Sequence, residues 1–125
     1  MVKDLKAIIA LLATLILLVG VNPAWAAYTD CNSSNICMWA NIDFTGTRQF
    51  IGNSPGERNL PSTGFNDVAS SWANRSFFYD SEWWYDINQS GWSSCMDSGT
   101  RLNAMSVFDD NEASSTKIYT SNEVC

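Results

Sequence analysis

After Ala26 the chain runs as short aromatic and β-branched stretches separated by clusters of Asn, Ser, Gly and Pro, with no sustained helical period. Such runs read as strands. They are expected at residues 36–39, 47–51, 70–74, 105–108 and 116–119, with 76–80 opening a second half. Asn53-Ser54-Pro55-Gly56 and Pro61-Ser62-Thr63-Gly64 punctuate the first half as turns. The pattern predicts an all-β domain. No low-complexity linker divides it, so the halves are expected to pack as one unit.

Pattern and composition change together before Ala27. Lys3 and Lys6 precede an apolar run over 7–21, and Ala24-Trp25-Ala26 supplies a small-x-small cleavage pattern. Residues 1–26 therefore read as a secretory signal peptide, too short in its apolar part for a spanning helix of roughly 20 residues. One domain is expected over 27–125. The chain carries 7 basic and 13 acidic residues; without Lys3, Lys6 and Asp4, 5 and 12 remain, a net charge of −7. That balance argues against nucleic acid or anionic membrane as partner, since both demand clustered Lys and Arg. A soluble extracellular monomer is expected.

Cys31, Cys37, Cys95 and Cys125 form an even set in a short exported chain, which reads as two disulfides with three possible connectivities. Closeness in sequence favours Cys31–Cys37, leaving Cys95 to tether Cys125. A cysteine metal site is disfavoured, because the chain has no His and no Cys-x-x-Cys spacing. The missing histidine also removes Ser-His-Asp and Cys-His catalysis. Glu57, Glu82 and Asp86 are the carboxylates that remain for acid–base work, and their spacing singles out no pair. No enzyme is expected.

One phrase occurs twice. Asn66-Asp67-Val68-Ala69-Ser70-Ser71 returns 44 positions later as Asp110-Asn111-Glu112-Ala113-Ser114-Ser115. Each copy offers carboxylate, amide and hydroxyl oxygens of the kind that hold hard cations. Asn, Asp and Ser are also ordinary turn residues, so one copy alone would decide nothing. The duplication extends to aromatic pairs five residues apart: Trp39 and Phe44, followed by Gly46, and Tyr79 and Trp84, with Asp86 where the first half has glycine. Such a pair can stack on itself and fold a hairpin back over its sheet.

These two signatures resemble the βγ-crystallin domain, over roughly residues 36–119. The resemblance implies a β-sandwich of two Greek-key motifs, at about 31–75 and 76–125. It also implies two Ca²⁺ sites at one end. By position, Val68 and Glu112 give backbone carbonyls and Ser70 and Ser114 give hydroxyls. Acids or amides from the opposite stretch, among Asn66, Asp67, Asp110 and Asn111, complete each site. The cysteine-led start, Asp43-Phe44-Thr45-Gly46 and the run from Phe65 to Asn74 are similar to secreted bacterial proteins grouped with an actinobacterial metalloproteinase inhibitor. That family usually carries a short N-terminal disulfide like Cys31–Cys37. It implies an extracellular peptidase as partner.

No motif marks an inhibitory site. The polar, glycine-containing segment 88–97, anchored by Cys95, is the expected exposed loop. A Ca²⁺-stabilised surface or polysaccharide-binding module, or a toxin on the same fold, are the alternatives. Trp39, Phe44, Phe50, Phe65, Trp72, Phe78 and Trp84 are expected in the core or hairpin stacks. Some of Phe77, Trp83, Tyr85 and Trp92 must then face outward, because alternate strand residues point to opposite sides.

Overall fold

The computed structural model describes residues 27–125; the expected signal peptide lies outside them. A 3₁₀ turn, Tyr28–Asp30, precedes eight strands. They are β1 Ile36–Asn41, β2 Thr45–Gly52, β3 Gly56–Asn59, β4 Ser71–Asn74, β5 Ser81–Asp86, β6 Ser90–Met96, β7 Arg101–Leu102 and β8 Ser115–Ile118. A second 3₁₀ turn, Leu60–Thr63, follows β3. The strands form two four-stranded sheets, in the orders β2-β1-β4-β7 and β3-β8-β5-β6. Each half thus lends one strand to the other's sheet: β3 leaves the first half and β7 the second. The two Greek keys interlock and share one core.

β1 shows how the pattern builds this. Ile36 and Met38 face the other sheet and join Ile51, Leu60, Phe65, Trp72, Trp83, Met96 and Ile118 between the layers. Cys37 and Trp39 face the opposite way and are buried too, under Tyr28, Cys31 and Phe44. A strand covered on both faces has no polar side to display, hence the unbroken Ile-Cys-Met-Trp run. The Cys31–Cys37 disulfide ties that cover to β1, and Cys95–Cys125 ties the C-terminus to β6, as expected.

Several expectations change. Residues 105–108 form no strand: Met105 donates one bond to the Ser70 carbonyl, then the Asp109 and Asp110 amides turn back onto the Ser106 carbonyl. Segment 88–97 is not an exposed loop, because most of it is β6, paired residue by residue with β5. β3 and most of β6 were not legible as strands because polar residues dominate both, and β7 is too short, at two residues, to show a pattern. Trp39, Phe44, Phe65 and Trp72 are buried as expected, whereas Phe50 and Phe78 are exposed and Trp84 is only half-buried. Parity explains the last. Ser81 is fully buried, so Trp83 two residues on also points inward and Trp84 outward. Phe77 and Trp92 are exposed.

Candidate metal centre at the hairpin end

The β1–β2 hairpin folds back at its tip, where Asp43, Phe44 and Gly46 all take positive φ. Phe44 lands edge-on against Trp39, with ring centroids 5.3 Å apart, and Tyr28 closes the stack at 5.9 Å. The fully buried Ser71 holds this geometry. Its hydroxyl donates to the Asn41 carbonyl at 2.7 Å and accepts from the Phe44 amide at 3.2 Å.

The second hairpin repeats the construction five residues later than the sequence reading placed it. Asn88, Gln89 and Gly91 take positive φ, and Ser115 donates to the Asp86 carbonyl and accepts from the Gln89 amide. Trp84, Gln89 and Gly91 are therefore the counterparts of Trp39, Phe44 and Gly46, and the Tyr79–Trp84 pairing is corrected. The signal was present in the spacing. Gly46 precedes Asn66 by 20 residues and Gly91 precedes Asp110 by 19. It was masked because Gln89 replaces the second aromatic. Both glycines take positive φ, 75° and 79°, which is why glycine sits there; the nearest groups to an added Cβ, the Asn41 and Asp86 side-chain ends, are exposed and can swing away.

This hairpin geometry carries the two six-residue stretches to one end and pairs them reciprocally. The Asp67 amide donates to the Ala113 carbonyl at 3.0 Å, and the Asn111 amide to the Ala69 carbonyl at 2.9 Å. Ser70 and Ser114 donate backbone bonds to Trp39 and Trp84, each at 2.8 Å. Asp67 and Asn111 both sit in the left-handed region, with φ of 52° and 61°. Asp and Asn tolerate that region better than most residues, which is why these types occupy it.

The side chains depart from symmetry. Ser114 donates across the pair to Asp67 Oδ1 at 2.9 Å, while Ser70 donates to the Ala40 carbonyl at 2.9 Å. Asn66 Nδ2 bonds the neighbouring Asp67, and Asn111 Nδ2 bonds Asp110. The first position of each stretch restores the symmetry. Asn66 Oδ1 and Asp110 Oδ1, at equivalent first positions, are buried without a hydrogen-bond partner among the described residues. A buried oxygen left unpaired costs about 1–3 kcal/mol, so two at matching positions call for an electropositive partner.

Asp109, just before the second stretch, accepts from Ser106 and Tyr85. Partial burial first, and then that carboxylate, push the Tyr85 phenol pKa up. The last residue of each stretch serves the hairpin rather than any ligand, a division of labour between Ser70 and Ser71 that the sequence does not reveal. Elsewhere, Cys95, Asp97 and Cys125 lie close together, but both sulfurs are committed to the disulfide and offer no thiolate. Glu57 and Glu82 flank Lys117 on neighbouring strands, and Glu82 accepts from Tyr119 and Ser93. Asp86 stands apart at the hairpin tip.

Residues 24–96 match the peptidase inhibitor family I36. The chain belongs to that family. No curated protein matches it. Among solved structures it is similar to the N-terminal domain of protein S, with 19% identity over 69% of this chain and 96% of that one, at a TM-score of 0.58. A βγ-crystallin domain from Flavobacterium johnsoniae shares 22% identity over 71% and 98% of the two chains, TM-score 0.58. A βγ-crystallin from Ciona intestinalis shares 22% over 68% and 99%, TM-score 0.58. At this identity the likeness establishes the fold, a βγ-crystallin sandwich. An inhibitor family on a non-catalytic fold makes the protein a non-enzyme. Its two disulfides fit an extracellular setting, and no helix among the described residues is long and apolar enough to cross a membrane.

Proposed function

We propose that this protein is a secreted, monomeric, calcium-stabilised inhibitor of an extracellular peptidase, most closely a metallopeptidase. The family match over residues 24–96 carries the reading. Inhibition needs a surface that stays ordered before it meets the enzyme, since pre-organisation lowers the ordering cost of binding. A disulfide-tied sandwich with one shared core provides such a surface.

Calcium is supported by the two unpaired buried oxygens of Asn66 and Asp110 and by the chemistry of the donor set. Val68 and Ser70, with Asp110 and Asn111, would hold one ion; Glu112 and Ser114, with Asn66 and Asp67, would hold the other. The Ser114–Asp67 contact already brings two donors of the second set within hydrogen-bond distance. Bound Ca²⁺ would neutralise acid at this end of a chain with net charge −6. At 100 times its dissociation constant it would add about 2.7 kcal/mol of stability.

Two measurements test the reading. Melting in excess EDTA, then in millimolar Ca²⁺ or Mg²⁺, should show a rise with Ca²⁺ alone; equal melting in all three removes calcium from the proposal. Titration against secreted metallo- and serine peptidases should give inhibition at or below micromolar protein, and none across the panel removes the inhibitor. A second reading rests on Trp92, half exposed beside Tyr85 with centroids 5.4 Å apart. Such a ring pair suits stacking on a sugar. Retention on cell-wall polysaccharide, lost in Trp92→Ala, would favour it.

A further inference from the structure

Phe77 and Phe78 stand side by side, each 74% exposed, on a segment held from beneath by buried hydrogen bonds. The fully buried Asn74 side chain reaches under the bend, donating to the Tyr79 carbonyl at 2.9 Å and the Met96 carbonyl at 2.8 Å, and accepting from the Ser76 amide at 3.0 Å. The buried Ser76 hydroxyl accepts from the amides of Phe78 and Tyr79, at 3.1 and 3.0 Å. Ser98 donates to the Ser76 carbonyl at 3.0 Å. On the near side, Arg75 exchanges backbone bonds with Ser34 and Asn35, inside the loop closed by Cys31–Cys37.

Hydrophobic side chains are not left in water by accident on a frame this rigid. Tyr79, just past the pair, packs against the core, and the buried Asn74 and Ser76 side chains beneath the bend hold its backbone in place while the two rings stay outside. We propose that the Phe77–Phe78 bend is the surface that enters the substrate cleft of the target, an endopeptidase whose primary specificity pocket takes a bulky apolar side chain. This rests on the inhibitor reading above. The segment lies inside the family match at 24–96, unlike the other strongly exposed apolar pair, Val107 and Phe108, at the opposite end. Arg75 and Arg101 line one cavity with Phe77, so the Phe77 side of the bend carries basic charge that complements an acidic cleft rim, while Asp80 lies on the other side, bonded to the Ser98 amide. The backbone is bent at 77–78 rather than extended, so the pair plugs the pocket and offers no scissile bond in substrate geometry.

The purified protein should be titrated against thermolysin, subtilisin and chymotrypsin, with trypsin, which requires a basic side chain, as comparison. Wild type should inhibit at least one of the first three and not trypsin, and should be recovered uncut after prolonged incubation. Phe77→Ser/Phe78→Ser should weaken inhibition by about 100-fold or more, as expected for two central apolar anchors. Val107→Ser/Phe108→Ser should change it less than about threefold. If wild type inhibits and the Phe77/Phe78 variant inhibits equally, the bend is not the contact and the inhibitor reading survives. If wild type inhibits nothing, both fall. Cleavage between Ser76 and Tyr79 would overturn the plug geometry. Should the variant fail to melt like wild type, amide exchange of the wild-type complex decides: new protection around 75–79 supports the proposal, and protection confined elsewhere overturns it. Sedimentation showing that the pair buries itself against a second copy would likewise overturn it.

Discussion

Ser71→Ala isolates the hairpin stitch from any role in metal binding. The substitution removes one hydroxyl and strands two backbone groups: the Asn41 carbonyl, 2.7 Å away, and the Phe44 amide, 3.2 Å away. Each lost bond costs about 1 kcal/mol net, and a buried group left unpaired costs about 1–3 kcal/mol. The Phe44 amide cannot easily turn to water, because its ring is clamped between Trp39 and Tyr28. The loss should therefore be about 2–4 kcal/mol. In a domain of this size each kcal/mol moves the melting temperature by about 4–8 °C, so the fall should be about 8–32 °C. Ser115→Ala removes the same pair of bonds from the second hairpin, but Gln89 has no aromatic clamp and its turn can relax into solvent. About half the effect is expected there, by the same reckoning. Scanning calorimetry with intact disulfides reads both, and calcium titration should give wild-type affinity for each. A fall of less than about 4 °C in Ser71→Ala, or a larger fall in Ser115→Ala, would refute the assignment of these serines as stitches on unequal hairpins.

Gly91→Ala and Gly99→Ala both carry left-handed strain, at φ 79° and 74°, and the Asp86 carboxylate end that a Cβ at Gly91 would meet is exposed and can swing away. Urea unfolding should show about 1–2 kcal/mol lost for each; a loss well under about 1 kcal/mol in either would deny the strain. Removing Cys95–Cys125, with its separation of 30 residues, should cost about 3.5 kcal/mol, against about 2 kcal/mol for Cys31–Cys37 with a separation of 6, measured on paired Cys→Ser variants. The reverse order would show that native contacts, rather than loop entropy, set their values. Burial first, then hydrogen bonds to Asp109 and Glu82, raise the phenol pKa values of Tyr85 and Tyr119 above 10. The folded state then keeps protons the unfolded chain loses, so this stability is complete below about pH 10 and fades as pH rises beyond it. Urea midpoints from about pH 8 to 11 should fall less steeply in Tyr85→Phe/Tyr119→Phe than in wild type, and parallel slopes would exclude both phenols.

The fold was legible largely because it is duplicated. The paired six-residue stretches, the Trp39-Phe44-Gly46 hairpin and the cysteine spacing are local signals, and local signals survive in a linear reading. The second hairpin was misplaced because recognition leaned on its aromatic, and Gln89 had taken that place. Phe78 was assigned inward for a related reason: apolar composition announces burial, yet an exposed Phe differs from a buried one only in what surrounds it.

By itself the sequence determined class, duplication, an even cysteine set and which residues could supply oxygen ligands, since these depend on residue type and spacing along the chain; which cysteines pair was only favoured there and is fixed by the fold. Tertiary structure alone decided that Ser71 and Ser115 stitch the hairpins and that Ser114 reaches across to Asp67 while Ser70 does not. It also decided that 88–97 is mostly an edge strand, and that two phenylalanines stand outward on a buried Asn74 frame. The physical reason is strand exchange. With β3 and β7 each crossing to the other half's sheet, the contacts that fix orientation join residues far apart in the chain, and no local pattern encodes such a contact.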